Sequence, residues 1–182
     1  MASRMSKKTR LVIIAIVIVV IVTIVGIVLS RNSSPQSDGA PDFTLPIITW
    51  NKTTLSELEG TPVVLNFWSI SCPWCQYQLP FLEAVAQRSG EEIKVVAVNM
   101  ADNAARIQSF FRNYEPTMTI ALDNNGEAFV DYSLAYNNTR GSIPFTLFVD
   151  SEGIVQHVKI GAFMNEDELW DTLNDVFGIN IP

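Results

Sequence analysis

The alternation of apolar and polar positions divides the chain into two unequal parts. Leu11 to Leu29 form a run of 19 residues in which only Thr23 and Gly26 are not strongly apolar. A helix of that length spans roughly 28 Å, close to the ~30 Å hydrocarbon core of a bilayer. A buried core helix would show polar positions every few residues, and this run shows none. Its β-branched residues suit a strand in water, but in lipid the backbone must satisfy its own hydrogen bonds, which forces helix. The pattern therefore predicts a cytoplasmic basic segment over 1–10, a transmembrane signal anchor over 11–30 and a polar, flexible tether over 31–40. Residues 41–182 remain for a single domain.

Inside that domain, Pro62 to Trp68 is a short run of strand formers, the pattern of a central strand covered on both faces. Pro73 to about Arg88 carries Leu79, Leu82 and Ala86 at helical spacing, ends at Gly90, and contains Pro80, which should bend it. Ile93 to Asn99 reads as a second buried strand. Asn103 to Asn113 reads as a helix with Ile107, Phe110 and Phe111 on one face. A third strand over Thr117 to Leu122 and a short helix over Glu127 to Ala135 follow. Pro144 to Asp150, a Ser-Glu-Gly turn, and Ile154 to Ile160 predict a β-hairpin. Asn165, with Glu168 three residues on, is a capping-box-like start for a last helix whose buried face is Leu169, Trp170, Leu173 and Val176. Strands alternating with helices and closed by an antiparallel hairpin give a mixed α/β sandwich.

Charge orients the anchor. Arg4, Lys7, Lys8 and Arg10 precede the apolar run with no acid among them, which predicts an N-terminus inside and a domain on the extracytoplasmic side of a single-pass cytoplasmic membrane protein. A cleaved signal peptide is the competing reading. It is disfavoured because the stretch is long and Val28-Leu29-Ser30 is a poor small-residue cleavage site. All 19 acidic residues lie beyond the anchor with 8 of the 12 basic ones, which leaves that part at net −11. Such a surface argues against nucleic acid as a partner and against close adsorption to anionic lipid.

The chain has only two cysteines, Cys72 and Cys75. So short a loop gains little from cross-linking, and a functional redox pair is the better reading outside the cytoplasm. The pair follows a strand and opens a helix, and Pro73 suits the first helical turn, where its missing N–H is not needed. Cys72 then sits at the helix N-terminus, where free N–H groups and the dipole stabilise a thiolate. Cys75, one turn further in, is placed to attack a mixed disulfide on Cys72. A zinc site would need two further ligands, and the chain offers only His157 and carboxylates. The reading calls for no metal and no cofactor, and His157 reads as an ordinary hairpin-strand residue.

The segment Leu65 to Cys75, Leu-Asn-Phe-Trp-Ser-Ile-Ser-Cys-Pro-Trp-Cys, with Pro80 five residues later, resembles the thioredoxin superfamily. Ala40 to Leu45, Leu55 to Gly60, and Gly141 to Asp150 followed by Glu152-Gly153 narrow the resemblance to its membrane-anchored TlpA/ResA-like branch. The resemblance implies a thioredoxin-like mixed central sheet flanked by helices, with an N-terminal β extension and a central insertion. It implies a cis Ile143–Pro144 bond against the dithiol, with Ile143, Pro144 and Trp74 meeting the substrate and Pro73, Asn66 and Gln78 in support. It further implies reduction of disulfides in exported proteins, such as apocytochrome c before haem attachment, with electrons from a membrane thiol reductase. The branch usually has a Glu at the position of Gln78, which cannot take a proton from Cys75; Glu83 is a distant candidate for that task. A peroxiredoxin-type peroxidase expects a Thr where this chain has Ser69 and a Pro where it has Leu65. A disulfide-forming oxidase and a non-redox client-binding module remain as alternative functions.

Overall fold

The computed structural model describes Val17, residues 39–112 and residues 114–179. Apart from Val17, Gly39 and Ala40, the expected anchor and tether lie outside the described residues, and among the described residues no helix is long and apolar enough to cross a membrane.

The residues from Gly39 onward build a five-stranded sheet with helices on both faces. The strands are β1 (Thr44–Pro46), β2 (Lys52–Thr54), β3 (Val63–Trp68), β4 (Lys94–Asn99), β5 (Thr119–Leu122), β6 (Phe145–Val149) and β7 (Val155–Ile160). The helices are α1 (Pro73–Ser89), α2 (Ala104–Phe111), α3 (Glu127–Ala135) and α4 (Glu166–Phe177). The main sheet has the order β5-β4-β3-β6-β7, parallel between β3 and its neighbour β4 and between β4 and β5, antiparallel elsewhere. β1 and β2 form a separate antiparallel pair, the N-terminal extension, which is anchored to β5 through a bridge between Ile47 and Ala121.

β3 is central: all six of its residues are buried, and five of them are apolar or aromatic. Its period of two sorts the core. Val64 and Trp68 face the layer of α1 and α4, where they join Leu79, Leu82, Phe148 and Leu169. Val63, Leu65 and Phe67 face the other layer, where they meet Phe129, Tyr132, Phe145 and Leu147. Phe67 stacks on Phe145 at 5.8 Å and meets Phe129 edge-on at 5.6 Å.

Helix starts follow their caps. Asn103 accepts the Arg106 N–H at 2.9 Å and Asn165 accepts the Glu168 N–H at 2.8 Å. Glu168 does not close a full capping box. Its carboxylate reaches one residue further back, to the Met164 N–H at 2.8 Å, and also binds Lys159 at 2.6 Å. These contacts hold its carboxyl below the usual range, with the Lys159 bond the largest cause. α3 begins at Gly126, which has no side chain to cap with, so the buried Asp123 carboxylate accepts the Phe129 N–H at 2.8 Å instead. The expected apolar face of α2 is narrower than the sequence pattern predicts: Ile107 is buried, Phe111 is half-buried and Phe110 is exposed. Phe110 and Phe111 pack on Trp68 from the outside, at 5.8 and 6.1 Å between ring centres respectively.

Candidate active site

The site is built at the carboxyl end of β3, where the chain turns over Ser69 to Ser71 and enters α1. Cys72 is the N-cap of that helix, with extended backbone, and its Sγ accepts the Cys75 N–H at 3.1 Å. Pro73 occupies the first helical turn and costs no hydrogen bond there. Cys72 and Cys75 are joined as a disulfide with Cα atoms 5.2 Å apart. The two sulfurs are not equivalent. Cys72 is half-buried, whereas Cys75 is 1% exposed inside the core with Trp68, Leu79 and Phe163.

The Ile143–Pro144 peptide is cis. Cys72 Sγ lies 3.8 Å from the Ile143 carbonyl oxygen, so the proline loop flanks the outer sulfur. Beside it runs an apolar groove of about 220 Å³ lined by Trp74, Ile143, Pro144, Gly161, Ala162 and Met164. Trp74 is 55% exposed and Met164 is 54% exposed. The loop carrying Met164 is held by the Tyr77 hydroxyl, which donates to the Met164 carbonyl at 2.8 Å. A larger cavity of about 370 Å³ lies between α1 and the Phe110–Tyr114 segment, but neither cysteine lines it. Neither cysteine lines the smaller groove either, but its walls include Trp74, which lies between them in sequence, and Ile143, whose carbonyl is 3.8 Å from Cys72 Sγ, so it is the groove that adjoins the dithiol.

Asn66 and Gln78 meet at a third residue that the sequence reading did not single out. Asn66 and Thr146 are register partners across β3 and β6 and face the same layer as α1. The Thr146 hydroxyl accepts from Asn66 Nδ2 at 2.8 Å and from Gln78 Nε2 at 3.2 Å. Gln78 Oε1 accepts the Phe163 N–H at 3.0 Å, which ties the helix to the loop after β7. All three side chains are at most 1% exposed, and none of them carries a charge. Thr146 is the one hydroxyl in an otherwise apolar buried strand, and that exception was its signal.

Glu83 is not placed to take a proton from Cys75. Its carboxylate turns to the far end of the fold, accepting from the Tyr114 hydroxyl, the Thr117 N–H at 2.8 Å, the Met118 N–H at 3.2 Å and Gln87 at 3.0 Å. Burial raises its carboxyl, but the Tyr114 bond and the two backbone bonds outweigh burial and hold it below the usual range. Burial and the Glu83 carboxylate together push the Tyr114 phenol up to about 12. His157 is exposed on β7 with its ring 5.6 Å from that of Phe148. Among the described residues no three His, Cys, Asp or Glu side chains are grouped to hold a metal.

Residues 37–158, which include both cysteines and the cis-proline, match the AhpC/TSA family. The chain belongs to that family. Within this thioredoxin-like group it is similar to the thiol-disulfide oxidoreductase ResA of Oceanobacillus iheyensis, 31% identical over 144 residues that cover 76% of this chain and 71% of that protein. It is 25% identical over 177 residues to ResA of Bacillus subtilis (strain 168), covering 93% of this chain and 95% of the relative. The solved structure of MTB DsbF in mixed oxidised and reduced forms superimposes with a TM-score of 0.63 at 28% identity, over 74% of this chain and 94% of that one. The chain is thus a TlpA/ResA-like member of the thioredoxin superfamily and a thiol–disulfide oxidoreductase.

Proposed function

We propose that the chain is an extracytoplasmic, membrane-anchored reductase of disulfides in exported proteins, with Cys72 as nucleophile and Cys75 as resolving thiol. The asymmetry of the two sulfurs carries the assignment of roles: one is half-buried at a helix N-cap beside an apolar groove, the other is 1% exposed. The Cys72 thiolate attacks one sulfur of a client disulfide, that S–S bond breaks, and the client's other sulfur leaves as thiolate. Cys75 then loses its proton and attacks Cys72 Sγ. The Cys72–Cys75 disulfide forms, the second client sulfur leaves, and two electrons have passed to the client. A membrane thiol reductase restores the dithiol.

Cys72 caps the N-terminus of α1, where free N–H groups and the helix dipole can stabilise a thiolate. Trp74, Met164 and the Ile143–Pro144 loop supply an apolar seat for the client segment that carries the target sulfur. Gln78, three residues after Cys75 on α1, is neutral and bonded to Thr146, and Glu83 is engaged elsewhere, so in this reading the Cys75 proton leaves to water or to the departing client thiolate. Apocytochrome c before haem attachment is one client that fits this chemistry. The basic flank and apolar run of residues 1–30 support the anchor and its orientation.

The test is insulin reduction by the full chain and its single-cysteine variants, with the reduction potential of the couple measured beside it. Cys72→Ala should abolish turnover, and Cys75→Ala should accumulate a mixed disulfide on Cys72. Reduction that persists in Cys72→Ala would sink the mechanism, whereas a parent chain that reduces no insulin but binds clients as well as its Cys72→Ala and Cys75→Ala variants would be a client-binding module. A potential near or below about −250 mV supports a reductase, whereas one near about −120 mV makes the protein an oxidase.

A further inference from the structure

The turn that presents Cys72 has almost no structure of its own. It is three residues long, Ser69 to Ser71, and lies between the end of β3 and the cap of α1. Its internal bonds are the Cys72 N–H to the Ser69 carbonyl at 3.2 Å and a contact between the Ser69 and Ser71 hydroxyls at 3.0 Å. The remaining bonds come from outside the turn. The Ile70 carbonyl accepts from Gln76 Nε2 at 2.6 Å. The Ile70 N–H donates to Asp102 Oδ2 at 2.8 Å.

Asp102 lies 32 residues away in sequence, in the loop between β4 and α2, and is only 4% exposed. That loop is itself pinned by the fully buried Asn99 at the end of β4. Asn99 Oδ1 accepts the Ala101 N–H at 3.1 Å and the Asp102 N–H at 2.8 Å, while Asn99 Nδ2 donates to Asp102 Oδ2 at 3.0 Å. The other carboxylate oxygen pairs with Arg106 at 3.0 Å, and the Arg106 side chain is 60% exposed. A nearly buried carboxylate, bonded to the residue two before the reactive cysteine, therefore has one oxygen committed to the turn and the other to a solvated cation.

We propose that Asp102 is a positioning residue for the dithiol: its carboxylate holds the turn through the Ile70 N–H, and its charge, partly offset by Arg106, opposes the thiolate on Cys72. The two effects have opposite signs. The brace keeps Cys72 Sγ where the Cys75 N–H reaches it at 3.1 Å, which favours the thiolate. The negative charge nearby disfavours it. Substitutions that separate brace from charge therefore move Cys72 in opposite directions, which a merely structural role does not do.

This inference rests on Cys72 being the nucleophile, and the experiment tests that first. The reduced full chain is alkylated with iodoacetamide across a pH series, and the labelled cysteine is located by mass spectrometry. Asp102→Asn keeps an acceptor for Ile70 and drops the charge, so the Cys72 profile should move to lower pH by about half a unit. Asp102→Ala loses the acceptor, so the profile should lie above that of Asp102→Asn, with insulin turnover at pH 7 about threefold or more below that of Asp102→Asn and KM unchanged. Arg106→Ala, which leaves the brace and removes an exposed counter-charge, should move the profile upward. It remains informative if Asp102→Ala fails to fold. Label on Cys75 in the parent chain would overturn the nucleophile assignment and this inference with it. Label on Cys72, with Asp102→Asn and Arg106→Ala profiles that do not move or that move the same way, overturns this inference alone.

Discussion

Thr146→Val is a sharp perturbation because it changes one group and almost no volume. The hydroxyl it removes accepts from two buried amides, Asn66 Nδ2 and Gln78 Nε2. Both amide groups lie at most 1% exposed, where water does not replace the lost acceptor. Stranding a buried neutral donor costs about 1–3 kcal/mol, so two give roughly 2–6 kcal/mol. The added methyl returns about 0.8 kcal/mol at most, and relaxation of the two amides takes the net toward the lower end, about 2–3 kcal/mol. With a urea m-value of about 2 kcal/mol/M, the unfolding midpoint should fall by roughly 1–1.5 M with m unchanged. Urea unfolding of the oxidised protein, followed by tryptophan fluorescence and circular dichroism together, reads this directly. A double-mutant cycle with Asn66→Ala should show a coupling of about 1 kcal/mol or more, because the two share one hydrogen bond. A midpoint shift under about 0.2 M, or strict additivity in the cycle, would refute the claim that the Thr146 hydroxyl is the shared acceptor of Asn66 and Gln78.

Two further outcomes are expected. The Glu83 carboxyl is held below its ordinary value of 4.5, so its ionised form contributes stability that is fully present at pH 7 and is lost as pH falls through the folded value. Glu83→Gln should therefore cost about 2 kcal/mol at pH 7, a deficit that narrows on acidification below pH 4.5, and should leave the pH profile of insulin reduction unchanged; an equal deficit across the range, or an altered rate profile, contradicts this. Trp74→Ala removes the exposed wall of the groove and should raise KM for a protein disulfide several-fold while leaving the rate with a small linear disulfide such as hydroxyethyl disulfide intact; equal losses on both substrates would place Trp74 in the chemistry rather than in client binding.

The local elements of the domain were legible in the sequence because their signals are short-range. Six consecutive buried positions from Val63, proline at the first turn of α1, glycine at its end and an asparagine cap at Asn165 each act within one turn or one strand. The cysteine pair was legible for the same reason: a three-residue spacing at a strand–helix junction fixes both sulfurs without help from the rest of the chain. What lies around the sulfurs was not. Asn66 and Thr146 are 80 residues apart in sequence and meet only because β3 and β6 pair in one register. Glu83 is on the same helix as Cys75, yet its carboxylate is taken by the Thr117 and Met118 N–H groups, which periodicity along α1 does not reveal. Asp102 follows β4 as any loop acid does, and only the parallel pairing of β4 with β3 brings it onto the turn before Cys72. Local backbone preference and apolar period determine which elements form and where the thiols lie. Strand register and helix packing decide which polar groups surround them, because those partners are contributed by distant segments whose identity enters no local pattern.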